Sequence, residues 1–319
     1  MKILIAPLNW GLGHATRCAQ LVYQFVHEGH EVVLGGDGDS LLWLRRYFPD
    51  LRVIYLASLR LRYSRSSSQA GAILCAIPRL ICFSLADARA LRRMLHYEHF
   101  DMLISDNRFG LYARRAGLHT IYVTHQLQVL LPSAMRWLQP LATRLHARIY
   151  NRYDEVWVPD YPTQGLSGCL GHPQYVSARV RYIGPLSRFA LPSSQVSARL
   201  TDTYDVVAVL SGLEPQRTLF EQELLHRFGS GNSRVLIVRG LVGEPWVKIE
   251  HGLITLVPYI DDNSLRACLL SANTIIARSG YSTLMDLTVL GVLSKAELHP
   301  TPGQSEQEYL ATYLASTRA

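Results

Sequence analysis

KILIAPLNWGLGHATR (2–17) decides the fold. An apolar run too short for a helix, KILIAPL, stops at Asn9-Trp10-Gly11. A glycine-bearing turn then leads into a helical pattern from His14 to about Glu28. Strand, glycine turn and helix in that order open a parallel α/β sheet. The alternation continues outward. EVVLGG (31–36), RVIYLA (52–57), DMLISD (101–106), TIYVTH (120–125) and EVWVPD (155–160) read as further strands. Helix is expected over 70–96, broken near Pro78, from 107 to Ala116, and over 133–153, interrupted at Pro140. Strands without polar alternation fit a sheet covered on both faces.

The pattern lapses over 181–204, where Pro185, Pro192 and several serines break any period. It then restarts. YDVVAVLSG (204–212), RVLIVRG (234–240), LITLVP (253–258) and NTIIARSG (273–280) read as strands. Helices are expected at 217–228, 261–271, 283–290 and 304–314. The expected organisation is a Rossmann-like domain over 1–186, a linker over 187–202 and a second Rossmann-like domain over 203–319. The second domain reads as short, as if truncated at its C-terminal end. Between Gly291 and Pro300, where a buried strand is expected, Ser294, Lys295 and Glu297 interrupt.

Composition narrows the class. Of 319 residues, 48% are hydrophobic and 18% charged, which excludes a disordered or coiled-coil chain. Five cysteines form no C-x-x-C pair and no metal-ligand spacing, as in a reduced, cytoplasmic protein. No signal peptide is evident. The longest apolar stretch, AGAILCAIPRLICFSLA (70–86), holds Pro78 and Arg79 and reads as a buried or interfacial helix pair. Charge is uneven: residues 1–190 carry 22 Lys and Arg against 12 Asp and Glu, whereas residues 191–319 carry 10 against 13. A basic first half suits an anionic partner such as a membrane surface, or is a solvated face. No aromatic-basic platform for nucleic acid stands out, so no nucleic-acid partner is expected.

Ligands of open α/β sheets bind beyond the carboxyl ends of strands. After the first strand, Gly11 and Gly13 allow a tight turn, and the helix start offers free N–H groups to an anion. Thr16 stands where a nicotinamide fingerprint needs its third glycine. His14 at a helix N-terminus is held neutral, which suits a general base, unless it only caps the helix. Asp106 could orient it, or could cap a helix of its own. His125, after its strand, could touch an acceptor or be a loop histidine. In the second half, Ser211-Gly212 to Arg217 and Arg278-Ser279-Gly280 present small residues at helix starts, a diphosphate cradle. Asp286, six residues on, could bind ribose hydroxyls. Gln307 and Glu308 open the last helix, where they could hydrogen-bond a sugar.

These residues resemble the GT-B glycosyltransferases. The likeness is nearest to the branch of the lipid-linked peptidoglycan N-acetylglucosaminyltransferase and the diacylglycerol glycosyltransferases. It rests on Gly11-x-Gly13-His14, on Arg278-Ser279-Gly280 through Asp286, and on the Pro-rich turn before Gln307-Glu308. The resemblance implies two Rossmann-like domains facing across a cleft and inverting transfer without metal or cofactor. The donor would be a UDP-sugar and the acceptor an envelope glycan or lipid-linked molecule. His14 and Asp106 would be catalytic, with Gly11, Gly13, Arg17 and His125 toward the acceptor. Gly212, Arg217, Arg278, Ser279, Gly280, Asp286, Gln307 and Glu308 would hold the donor. The expected place is the cytoplasm, peripheral on the inner membrane face. Gly13-His14-x-x-Arg17 also resembles the loop of nucleotide-sugar hydrolases, and an epimerase or a non-catalytic nucleotide-binding module stays open.

Overall fold

A computed structural model of the chain describes residues 1–57, 70–174, 176–192, 202–212 and 214–318, the side chains of 70–76 and 318 aside. The chain divides into two compact units, one ending at Leu186 and one taking up the chain from Ser187.

The first unit is built on a parallel sheet of β1 (Lys2–Pro7), β2 (Glu31–Gly36), β3 (Arg52–Tyr55), β4 (Met102–Asp106), β5 (His119–Val123), β6 (Glu155–Val158) and β7 (Val180–Tyr182). Their spatial order is β3-β2-β1-β4-β5-β6-β7. The chain therefore winds outward from β1 one way, then returns to place β4 on its other side. That reversal between β1 and β4 leaves a crevice at the carboxyl ends of the two strands. Helices α1 (Gly13–His27), α2 (Gly38–Tyr47), α3 (Ala70–Tyr97) and α4 (Gln139–Tyr150) make the crossovers. Ile3, Leu4, Ile5, Leu103 and Ile104 are buried to within 1% exposure, so apolar side chains on both faces of β1 and β4 are covered.

Two expectations here fail for physical reasons. Residues 107–117 form no helix: Asn107 takes φ +56°, and the Arg108 side chain turns fully inward. Its guanidinium forks onto Asp87 at 2.8 and 3.0 Å, with Asp37 at 3.1 Å, so the chain stays irregular to bring it there. Pro78 does not break the 70–97 helix. It lies exposed, and a proline inside a helix removes one hydrogen bond and can kink the helix without ending it. The 70–86 stretch is accordingly part of one helix rather than a pair, with Phe83 buried and Ile81 and Leu85 exposed. Beyond β2, Asp37 takes the N-cap position of α2.

The second unit holds β8 (Val206–Val209), β9 (Val235–Val238), β10 (Ile249–His251), β11 (Ile254–Val257), β12 (Thr274–Ala277) and β13 (Ala296–Leu298). Their order is β10-β11-β9-β8-β12-β13, with only β10 antiparallel. Its helices are α5 (Gln216–Phe228), α6 (Asp262–Ser271), α7 (Tyr281–Val289) and α8 (Ser305–Arg318). Here the winding reverses between β8 and β12. The polar 291–300 stretch does form a strand, but at the sheet edge. There Glu297 can face out to Arg227, at 2.6 Å, and to His299, at 2.8 Å. The expected linker also begins inside packed structure. Ser187 and Phe189 are buried, and Phe189 joins Val207, Leu236, Val257 and Leu265 in the core. Residues 193–201 of it lie outside the described residues.

Candidate functional site

At the switch point of the first sheet, α1 starts immediately beyond β1. Gly11 turns the chain at φ +77°, and its carbonyl accepts from Ser40 Oγ at 3.1 Å. No side chain caps α1, so His14 in its first turn is not spent as a cap. Instead its Nδ1 lies 3.1 Å from Oδ1 of Asp106, the last residue of β4. Parallel pairing sets Asp106 beside Pro7 of β1, which is how a residue 92 positions away meets His14. Arg17, one turn further along α1, is 2% exposed. It forks onto Asp106, with Nε 2.7 Å from Oδ2 and a second bond to Oδ1. The same guanidinium reaches Nδ1 of His14 at 2.9 Å and Nδ1 of His125 at 3.2 Å.

The electrostatics follow from burial and from that one cation. Burial pushes the Asp106 carboxyl up, but the Arg17 charge and His14 outweigh it and hold it well below the usual range. Burial lowers the His14 pKa beneath 6.5; Asp106 opposes this and Arg17 adds to it. His14 is therefore neutral at neutral pH and keeps one ring nitrogen with a lone pair. Its side chain retains 14% exposure, whereas Asp106 has none. The expected acceptor residues part company here. Gly11, Gly13 and His14 line the turn, while Arg17 and His125 sit inward, against Asp106 and each other. Cys18, unsignalled by the sequence, donates to Asp106 Oδ2 at 3.3 Å.

The second unit gathers its residues at its own switch point, beyond β8 and β12. Gly212 takes φ +97°, a left-handed turn that favours glycine. Gly280 stands at the N-cap of α7 and brings no capping side chain of its own. Ser279, fully buried, donates to the Gln307 carbonyl at 2.8 Å. Gln307 Oε1 accepts from the Thr301 N–H and Glu308 Oε1 from the Gly303 N–H, both at 2.8 Å. The 277–280 turn and the start of α8 are thus tied together.

Three expected donor residues are committed inside the unit. Arg278 holds the carbonyls of Pro300, at 3.0 Å, and Gln216, at 3.1 Å, and stacks 4.0 Å over the Phe220 ring. Arg217 pairs with Glu214 and, at 3.2 Å, with Glu221. Asp286 accepts from Ser187 Oγ at 2.6 Å and lies 3.2 Å from Nε of Arg188. Arg188 also reaches Asp262 at 3.2 Å. No local sequence signal marks this arrangement, because Ser187 and Arg188 fall in the expected linker. Among the described residues, no three His, Cys, Asp or Glu side chains group as metal ligands.

No family model matches the chain. An uncharacterized glycosyltransferase of Methanosarcina acetivorans is 23% identical, spanning 97% of this chain and 82% of its own length. MurG of Acinetobacter baumannii superposes with a TM-score of 0.54 at 12% identity, over 99% of this chain and 82% of MurG. UGT2 of Phytolacca americana, complexed with UDP-2-fluoroglucose and pterostilbene, gives 0.58 at 16% identity, over 99% and 83%. Fold and sequence likeness agree: the chain resembles the GT-B glycosyltransferases along nearly its whole length.

Proposed function

We propose that this enzyme moves a hexose or N-acetylhexosamine from a UDP-sugar to an envelope glycan or lipid-linked acceptor, with inversion and without a metal. The observation that carries the reading is the His14–Asp106 pair at the first switch point: a neutral imidazole beside a fixed carboxylate, both at a strand-end crevice.

In that reading the acceptor hydroxyl oxygen attacks the anomeric carbon as its bond to the diphosphate oxygen breaks. The hydroxyl proton passes to His14, and Asp106 steadies the imidazolium that forms. A positioned base of this kind contributes roughly 10²–10⁴-fold. The departing diphosphate meets the positive end of the α7 dipole and the turn at Gly212. Gln307 and Glu308 lie toward the sugar. Asp286 would reach a ribose only by giving up Ser187 or Arg188. The UDP-sugar in the UGT2 complex supports the donor class.

The exposed surfaces of α3, of α4 and of the turn before α4 (Ser133–Leu138) support an anionic membrane as a partner. Ile81, Leu85, Trp137, Leu141 and Leu145 are exposed, and residues 126–153 hold four arginines and no acid. No helix among the described residues is long and apolar enough to cross a membrane.

Calorimetry with UDP, against GDP and NADH, on the chain and on Asp286→Ala tests the donor half. UDP-selective binding is expected. A folded chain that binds no UDP refutes the donor assignment. UDP release from UDP-sugars at catalytic rates without any acceptor would instead identify a hydrolase.

A further inference from the structure

Two groups compete for one nitrogen of His14. Oδ1 of Asp106 lies 3.1 Å from Nδ1 and can only accept a proton from it. A terminal nitrogen of Arg17 lies 2.9 Å from the same Nδ1 and can only donate to it. A neutral imidazole cannot satisfy both. With Nδ1–H directed at Asp106, Nε2 keeps the lone pair and can take a proton. With Nδ1 accepting from Arg17, the ring proton sits on Nε2 and His14 faces outward as a donor.

We propose that Arg17 is a positioning residue that sets the tautomer of His14, holding the ring proton on Nε2 in the unliganded protein and leaving the base-competent form as the minor one. Counting hydrogens decides between the tautomers. Arg17 commits Nε–H and one hydrogen of its second terminal nitrogen to the two oxygens of Asp106. The other hydrogen of that nitrogen falls to His14. At 2% exposure, turning it out to water is closed off. Asp106 needs no proton from His14, because the fork already supplies both its oxygens and Cys18 Sγ adds a third donor. The opposite tautomer would set N–H against N–H at 2.9 Å. His125 follows the same rule: its Nδ1 lies 3.2 Å from a terminal nitrogen of Arg17, which can only donate, so its ring proton is expected on Nε2 too.

The groups facing His14 are thus Arg17 on its own helix, Asp106 from β4 and His125 from beyond β5. Arg17 lowers the fraction of His14 able to accept a proton, and apparent activity scales with that fraction. The inference rests on the proposed function only for this consequence, since the tautomer is a property of the protein alone.

The test is long-range ¹H–¹⁵N correlation NMR of the histidine rings in ¹⁵N-labelled protein near pH 7.5, with His14→Gln and His125→Gln assigning the two signals. The expected wild-type pattern is a proton on Nε2 in both rings. Arg17→Lys keeps a cation beside Asp106 but loses the fork, and His14 should then switch to the Nδ1–H pattern. A wild-type His14 protonated on Nδ1 overturns the proposal, and that spectrum needs no variant to fold. So does a folded Arg17→Lys protein whose His14 stays protonated on Nε2. An Nε2–H pattern in a protein that transfers no sugar would sink the proposed function and leave this inference standing; an Nδ1–H pattern in an active transferase would do the reverse.

Discussion

Ser187 Oγ donates to Asp286 Oδ1 across 2.6 Å, joining residues 99 positions apart. Burial raises the Asp286 pKa to about 6, with Arg188 opposing it. The folded protein therefore binds the Asp286 proton more tightly than the unfolded chain does. Stability from this group is full below the unfolded pKa of 3.8 and is lost as pH rises toward 6. A shift of that size is worth about 3 kcal/mol. Urea unfolding of the second domain should show wild type losing stability relative to Asp286→Asn between about pH 4 and 6, and a constant difference above pH 7. A difference of the opposite slope refutes the assignment.

His14 gives a pH dependence of different origin. Its pKa is lowered by burial first and by Arg17 as well, with Asp106 opposing. Proton abstraction needs the neutral ring, so activity should persist as pH falls through 6.5 and decline only below it. The profile of kcat/KM against pH reads this directly. An acid limb centred at or above 6.5 would show that the His14 environment is not as described.

Much of this site could be read from the chain, and the misses share a cause. Gly11-x-Gly13-His14 and Arg278-Ser279-Gly280 are local signals: a glycine turn between an apolar run and a helical period needs only neighbours in sequence. Asp106 was legible because a buried strand ends on it. Arg17 read as an acceptor contact because its inward turn depends on Asp106 and His125, 89 and 108 residues away. Arg108 misled in the same way. Its fork onto Asp87 is a long-range interaction, and it overrides the local preference for helix after β4. Ser187 and Arg188 sat among prolines and serines, whose punctuation hid that they pack on α6 and α7.

The irregular path after β4 carries its own test. A Cβ built on Gly110 would stand 2.0 Å from the Ser84 carbonyl oxygen and 2.8 Å from Asp87 Cβ. Neither neighbour is the end of a flexible side chain, so Gly110→Ala must push α3 away from the Arg108–Asp87 fork. Overpacking of this kind costs about 3 kcal/mol or more. Gly29 offers the control. It has φ +81° but open space around its Cβ, so Gly29→Ala should cost only about 1–2 kcal/mol of backbone strain. Thermal melts should separate the two variants by several degrees, with Gly110→Ala the lower. Equal melting temperatures would mean that the 107–117 path differs from the one described.

Arg278 separates a binding role from a supporting one. Its guanidinium ties the Pro300 and Gln216 carbonyls together and covers the Phe220 ring at 4.0 Å. Lysine keeps the charge but lacks the planar fork, so Arg278→Lys leaves buried carbonyls without their donor. The expected loss is about 2–4 kcal/mol, confined to the second domain. Hydrogen exchange should rise at the start of α5 and over 299–303, while β1 and β4 keep their protection. UDP binding should weaken in step with that loosening and recover when the domain is stabilised by cooling or by an osmolyte. An Arg278→Lys protein with unchanged exchange but abolished UDP binding would instead make the guanidinium a direct contact to the diphosphate.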